Sequence, residues 1–286
     1  MDGVVVVDKP PEMTSHDVVD VVRRRLGTKK VGHAGTLDPG ATGVLVLGIG
    51  RATRLLEYSQ QAPKRYVAVA RLGTVTSTLD ASGEVLATCP VHVTRSDIER
   101  ALRRFEGTIE QVPPMVSAVK VEGERLYRKA LRGEEVVRPA RRVTIYNLEL
   151  TAFDPTHDAA RATLDVTCSA GTYIRTLVDD LGATLGCGAH LESLRRVEAG
   201  GFSLADAMPL DDIDEASVRP PSDAVMQLRA VEVNESTAAL VRNGRPIEDP
   251  INVDENEPVA LLHAGDLLAV YRGRAGRLVA DRVLAR

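Results

Sequence analysis

Tryptophan is absent, and the nine aromatic residues among 286 (six Tyr and three Phe) leave few rings for anything beyond a core or a site. Three cysteines, Cys89, Cys168 and Cys187, make neither a C-x-x-C pair nor an even set. That excludes a disulfide framework, argues against a structural zinc and fits a reducing compartment. Long hydrophobic runs are also missing. Stretches such as residues 4–7 and 44–47 fall far short of the roughly 18 residues a membrane helix needs, and no charged-then-apolar leader precedes them. The chain reads as soluble and cytoplasmic. Its 44% apolar content suits one large domain with a small appendage and excludes disorder as the main state.

An excess of positive charge is lacking as well: 36 Lys and Arg stand against 40 Asp and Glu, a net of −4, which taken alone argues against a nucleic-acid partner. The distribution changes that reading. Residues 1–200 hold 27 basic and 25 acidic side chains, residues 201–266 hold 4 and 14, and residues 267–286 hold 5 and 1. The acidity is confined to one stretch. Of the 36 bases 30 are Arg, whose planar fork suits phosphates and base edges, although a GC-rich genome produces the same bias.

Residues 3–9 form a β-branched run stopped by Pro10 and Pro11, which predicts a short buried strand. Thr14, Ser15 and Asp17 then predict the N-terminus of a helix that carries Val18, Val19, Val22 and Leu26 inward and ends at Gly27. Residues 31–43 have five glycines or prolines and no periodicity, and read as a loop that runs into an apolar strand over 44–50. Further strand patterns cover 65–72, 142–150 and 161–169; helical ones cover 96–105, 126–132 and 173–185. This order predicts an α+β fold, a mixed and mainly antiparallel sheet with flanking helices. A polar, proline-rich link near 217–223 separates a domain of residues 1–220 from a small β-rich module of residues 226–286, which closes in a hairpin about 272–277.

The loop over 31–43 contains Gly35-Thr36-Leu37-Asp38-Pro39. A carboxylate fixed between a turn and a buried strand is placed to point into a cleft; the alternative is an Asx-turn that only caps its own loop. Neither a Gly-Lys-Ser/Thr sequence nor a G-x-G-x-x-G at a helix start supports a phosphate cradle.

Lys9-Pro10 with Gly32-His33-Ala34-Gly35-Thr36-Leu37-Asp38-Pro39-x-Ala41-Thr42-Gly43 resembles the signature of the bacterial tRNA pseudouridine-55 synthases of the TruB family. Lys64-Arg65-Tyr66, Leu72-Gly73, Asp80-x-x-Gly83, Gln111-x-Pro113-Pro114-Met115, Ser117-Ala118-Val119-Lys120, Gly171-Thr172-Tyr173-Ile174-Arg175 and His190-Leu191-x-x-Leu194-Arg195-Arg196 follow in the family's order, over roughly residues 3–205. The resemblance implies a catalytic domain of the pseudouridine synthase type and a C-terminal PUA-like RNA-binding domain. It implies an isomerase that flips uridine-55 out of the tRNA T-loop and converts it to pseudouridine, without cofactor or metal.

By the same resemblance Asp38 is the nucleophile and Arg175 its ion-pair partner. Tyr66 stacks on the target base and assists proton removal at C5. Tyr173, at a helix start, and Leu194, on a turn, belong to the uridine pocket. His33 enters the gap left by the flipped base, and Lys9 and Lys64 are further substrate contacts. Arg23, Arg24, Arg25, Lys29 and Lys30, and a second cluster from Arg125 to Arg142, are expected to grip phosphates, and the basic tail the acceptor-stem end. Ser77 and Val116 depart from the family, where an aspartate and a tyrosine are common. No obligate protein partner is expected, and the chain reads as a monomer. A tRNA-binding or tRNA-folding protein without required catalysis is the alternative.

Overall fold

The computed structural model describes every residue except 116–119, 122–123, 126–131, 133–135, 157–159 and 285–286. The helix expected over 126–132, the Ser117-Ala118-Val119 motif and Val116 therefore lie outside the described residues, apart from Arg132. The chain divides into two compact units, one of Met1–Ala62 with Glu198–Arg286 and one of Pro63–Val197. The fold is α+β, as the order of patterns predicts.

In the first unit β1 (Gly3–Lys9) pairs antiparallel with β3 (Thr42–Ile49), setting Val5 opposite Leu47 and Val7 opposite Leu45. Both strands are buried almost throughout, which is why they read as continuous apolar runs and not as alternating ones. The helix Ser15–Arg25 begins with a reciprocal capping box: the Asp17 amide donates to Thr14 Oγ1 at 3.1 Å and the Thr14 amide to Asp17 Oδ2 at 2.8 Å. Val18, Val19 and Val22 face the core, and Arg23, Arg24 and Arg25 sit at the end where the helix dipole favours cations. The expected loop over 31–43 is shorter than its composition suggests. Residues Val31–His33 form β2 against β3, because the alternation of three residues is too short to register as a pattern.

The second unit holds β4 (Lys64–Leu72), the small hairpin β5 (Thr74–Thr76) and β6 (Val85–Thr88), then β7 (Gly107–Gln111), the short β8 (Lys120–Val121) and β9 (Glu124–Arg125), β10 (Arg141–Asp154), β11 (Arg161–Cys168) and β12 (Ala189–Ala199). Its sheet runs β12-β4-β11-β10-β7, with the β4–β11, β11–β10 and β10–β7 pairs antiparallel. Helices Arg95–Leu102 and Ile174–Leu185 accompany it. Along β4 the inward positions are Lys64, Tyr66, Ala68, Ala70 and Leu72, the period-two pattern that makes the strand readable. β12 was not foreseen, and Leu194, expected on a turn, lies within it, half-buried. Its buried positions include His190 and Arg196, so no apolar alternation marks it.

After β12 the chain returns to the first unit. β13 (Phe202–Ser203) pairs with the end of β12, and β14 (Met208–Pro209) lies parallel to β1. Then β15 (Arg229–Glu232), β16 (Ile247–Glu248), β17 (Pro258–His263), β18 (Asp266–Arg274) and β19 (Arg277–Val283) form a five-stranded sheet ordered β15-β17-β18-β19-β16, with the helix Glu235–Arg242. The expected C-terminal hairpin is β18–β19. Its loop is only Ala275-Gly276, both at positive φ, as a two-residue primed hairpin turn requires. This sheet shares a core with the N-terminal strands: Ala260, Val270 and Leu284 pack with Val4, Val6, Val44 and Val46. Tyr58 Oη donates to Asp281 at 2.8 Å and Arg51 to the Leu284 carbonyl at 2.6 Å. Asp211, Asp212, Asp214 and Glu215 of the acidic stretch face solvent, whereas Asp206 and Asp223 bracket Arg219 at 3.1 and 2.7 Å.

One glycine decides how the helix Ile174–Leu185 is seated. A Cβ at Gly182 would lie 2.2 Å from the Ala189 amide nitrogen and 2.4 Å from the Gly188 carbonyl carbon, both immovable backbone. In an exposed helix Gly→Ala stabilises by about 1 kcal/mol. Here the sign inverts: Gly182→Ala is expected to lower stability by about 2 kcal/mol, the overpacking range, measured as a reduced urea midpoint at unchanged m-value.

Candidate active site

The first unit carries Lys9, His33 and Asp38. Asp38 is half-exposed on a loop that buried side chains anchor on both sides. On one flank Leu37 is buried, and its amide donates to Ser15 Oγ at 2.9 Å while that hydroxyl approaches the Leu37 carbonyl at 3.3 Å. On the other, Lys9 Nζ donates to the carbonyls of Pro39 at 3.0 Å, Pro10 at 2.8 Å and Met13 at 2.5 Å. The Ala41 amide donates back to the Asp38 carbonyl at 3.0 Å, closing the turn. Lys9 is wholly buried, and an ammonium has three protons, all matched here by backbone carbonyls. Lys9 thus clamps the loop. His33 is half-buried at the end of β2, and the ring of His16 meets it edge-on, 5.3 Å between centroids at 77°.

The second unit carries Lys64, Tyr66, Tyr173, Arg175 and Leu194. Tyr66 and Lys64 share the inward face of β4, both buried. Tyr173 is the N-cap of the helix Ile174–Leu185. Its main chain is fixed at both ends by the buried Gln111, whose Oε1 accepts from the Tyr173 amide at 2.9 Å while its Nε2 donates to the Tyr173 carbonyl at 3.3 Å. Arg175, two residues on, is 4% exposed.

Within this unit the guanidinium of Arg175 meets Asp80, Nη1 to Oδ2 3.2 Å, and donates to the Thr78 carbonyl at 3.3 Å. Asp80 is a residue that sequence reasoning quoted in a motif and gave no part. Its other oxygen accepts from Thr78 Oγ1 at 2.6 Å, from Ser82 Oγ at 2.5 Å and from the Ser82 amide at 3.0 Å. Burial alone would raise the Asp80 pKa; the hydroxyls of Ser82 and Thr78, the Ser82 amide and the Arg175 charge outweigh it and hold the carboxyl below the ordinary range. Leu79, just before it, sits at φ +63°, a conformation costing a non-glycine residue roughly 1–2 kcal/mol. The strain is held by β12: the Leu191 amide donates to the Leu79 carbonyl and the Ala81 amide to the Leu191 carbonyl, each at 3.0 Å. Ser77, the departure from the family pattern, still accepts from the Glu84 amide at 3.1 Å and closes the same loop.

Among the described residues no group of three His, Cys, Asp or Glu side chains is placed to hold a metal ion. No helix there is long and apolar enough to cross a membrane.

Comparison with known proteins agrees with this arrangement. Residues 23–174 match the model of the TruB family pseudouridylate synthase N-terminal domain, and residues 175–232 that of the tRNA pseudouridylate synthase B C-terminal domain. The tRNA pseudouridine synthase B of Symbiobacterium thermophilum is 51% identical over 247 residues, covering 85% of this chain and 82% of that protein. That of Thermobifida fusca is 46% identical, covering 96% of each chain. Among solved structures, one from a Cbf5-Nop10-Gar1 complex superposes with a TM-score of 0.78 at 27% identity, covering 98% of this chain and 84% of that one. One from an H/ACA RNP bound to a substrate RNA containing 2′-deoxyuridine gives 0.77 at 25%, covering 99% and 85%. Fold and motifs together define a pseudouridine synthase, an enzyme of the isomerase class. The chain belongs to the TruB family of these enzymes.

The inward end of β4 supplies a measurable electrostatic signature. Burial first and the neighbouring Arg196 second bring the Lys64 pKa down to about 8, against a smaller opposing effect of Cys168 across the β4–β11 pair. Between pH about 8 and the unfolded value of 10.5 the folded state holds fewer protons on Lys64 than the unfolded one, so the contribution of this group to stability rises with pH. Cys168, whose thiol burial pushes up to about 11, acts in the opposite sense above pH 9, so the quantity to follow is the difference in urea stability between the parent and Lys64→Met, which is expected to grow in the parent's favour from pH 7.5 to 9 and 10.5.

Proposed function

We propose that this enzyme converts uridine-55 of the tRNA T-loop to pseudouridine with Asp38 as the nucleophile. The observation that carries the assignment of the nucleophile is the loop around Asp38: both neighbours are anchored by buried groups, Leu37 to Ser15 and Pro39 to Lys9, while the carboxylate is left half-exposed. An aspartate that served only to cap its own turn would need no such support from distant residues. The relatives named tRNA pseudouridine synthase B, up to 51% identical, support the substrate.

The reaction breaks the N1–C1′ bond and forms C5–C1′. N1 gains a proton and C5 loses one, so it is redox-neutral and calls for no cofactor. A carboxylate that attacks C1′ or C6 traps one half of the nucleoside while the base turns over. Tyr66, on the inward face of β4, is the candidate to stack on the base and to receive the C5 proton. Arg175 is the cation that keeps the site's carboxylate chemistry charged in partly dry surroundings, and Tyr173 and Leu194 are candidate pocket walls. A stacked uridine hides C1′ and C6 alike, and a loop nucleotide is the cheapest to extrude. His33 would fill the space it leaves.

Phosphate grip falls to exposed cations: Arg23, Arg24, Arg25, Lys29 and Lys30 in and after the first helix, and Arg141 and Arg142 on β10. Residues 226–286 act as a PUA-like RNA-binding domain behind a catalytic domain of residues 1–220, with exposed Arg245, Arg274 and Arg277 turned to the acceptor-stem end. The enzyme works as a cytoplasmic monomer.

Asp38→Asn is expected to fold and to bind tRNA as the parent does, yet to release no tritium from [5-³H]uridine tRNA. Release by that variant would overturn the nucleophile. Mass spectrometry of tRNA from a deletion strain, complemented with the parent or with Asp38→Ala, is expected to show the T-loop pseudouridine restored only by the parent.

A further inference from the structure

The first turn of the helix Ser15–Arg25 is packed against the Asp38 loop by side chains that capping does not require. The cap is complete with Thr14 and Asp17. Ser15 is fully buried and turned the other way, 22 residues along the chain, so that its hydroxyl is matched to both the amide and the carbonyl of Leu37. His16 is exposed, and its ring lies edge-on to His33, which gives a polar, solvent-facing residue a defined orientation. The two contacts reach the same loop at its two ends. One is a single residue from Asp38 and the other is at the residue expected to meet the displaced RNA loop.

We propose that Ser15 and His16 are positioning residues of this enzyme: Ser15 sets the height of the Asp38 carboxylate, and His16 sets the ring plane of His33 toward the RNA. The inference rests on the reading of Asp38 and His33 given above. A hydroxyl that satisfies both main-chain polar groups of one buried residue restrains the peptide units on either side of it, in rotation as well as in place. The next side chain then leaves the backbone in one direction. An edge-to-face pair restrains the second ring's χ2. The two residues therefore act on different quantities. Displacing Asp38 slows the chemical step and leaves RNA binding intact, because catalytic effect depends on near-attack geometry. Freeing His33 weakens the grip on RNA and leaves the chemical step intact.

The test uses the full chain with an unmodified tRNA transcript, single-turnover tritium release for chemistry and filter binding for affinity. The variants are Ser15→Ala, His16→Ala and His16→Phe, with Asp38→Asn as reference, all at a temperature where circular dichroism shows each folded. Ser15→Ala is expected to slow the single-turnover rate about tenfold, with Kd within twofold of the parent. His16→Ala is expected to raise Kd about threefold to tenfold at an unchanged rate, and His16→Phe, which keeps a ring edge, to restore it. Parent-like values for both alanine variants, or a uniform loss in rate and affinity that tracks lowered stability, would overturn the proposal while Asp38→Asn stays inactive. If instead the parent fails to modify the transcript, or Asp38→Asn retains turnover, the underlying reading of the site is what fails.

Discussion

Everything around Asp38 depends on one ammonium buried where no water reaches it. An unpartnered lysine charge inside a protein would cost several kcal/mol. Lys9 escapes this by facing three carbonyls at once, from Pro10, Met13 and Pro39. Two of those carbonyls belong to the turn after β1 and the third follows Asp38. The same charge therefore ties the strand's exit to the site's loop. Pro10 and Pro11 stop the strand, and the lysine takes up the carbonyls of Pro10 and Met13 in the turn that follows.

The second unit solves a matching problem with different means. Arg175 is nearly as buried as Lys9, but its guanidinium is answered by a carboxylate, Asp80, that is itself drawn out of the ordinary titration range by hydroxyls and an amide. Holding Asp80 in place requires a left-handed leucine and two hydrogen bonds from β12. Strained backbone beside a paired buried charge is the usual companion of a working site, where geometry is kept against local preference.

Much of this was legible in the chain. β1, β3, β4, β10, β11 and the helix after Thr14 are visible because their core faces are apolar at the right period. Asp38, Tyr66 and Arg175 stood out through ordered motifs and through the scarcity of aromatics. β12 was hidden because His190 and Arg196 occupy buried positions in it, so polarity masks the strand. Asp80 was hidden because its importance lies in a partner 95 residues away, Arg175, and no local pattern records a distant pairing. Ser15 was read only as part of a helix start. A serine there satisfies capping statistics whether or not it also reaches Leu37, and only the tertiary contact separates the two uses. The clamp made by Lys9 was hidden for the same reason: the burial and the distant carbonyl that define it leave no local pattern.

The first unit is assembled from both ends of the chain, with residues 63–197 inserted between them. Val4 and Val6 lie in a core completed by Phe202, Val225, Val270 and Leu284, and the main chain of Val4 is bonded to that of Arg219. On a ribosome that adds about 5–20 residues per second, the opening strand waits roughly ten to sixty seconds before those partners exist. Throughout that interval a β-branched edge is bare, whereas the inserted unit is complete and can close first. Synthesis order thus places the vulnerable moment of this enzyme early, in its most regular strand, and makes its first residues the natural client of whatever shields nascent chains.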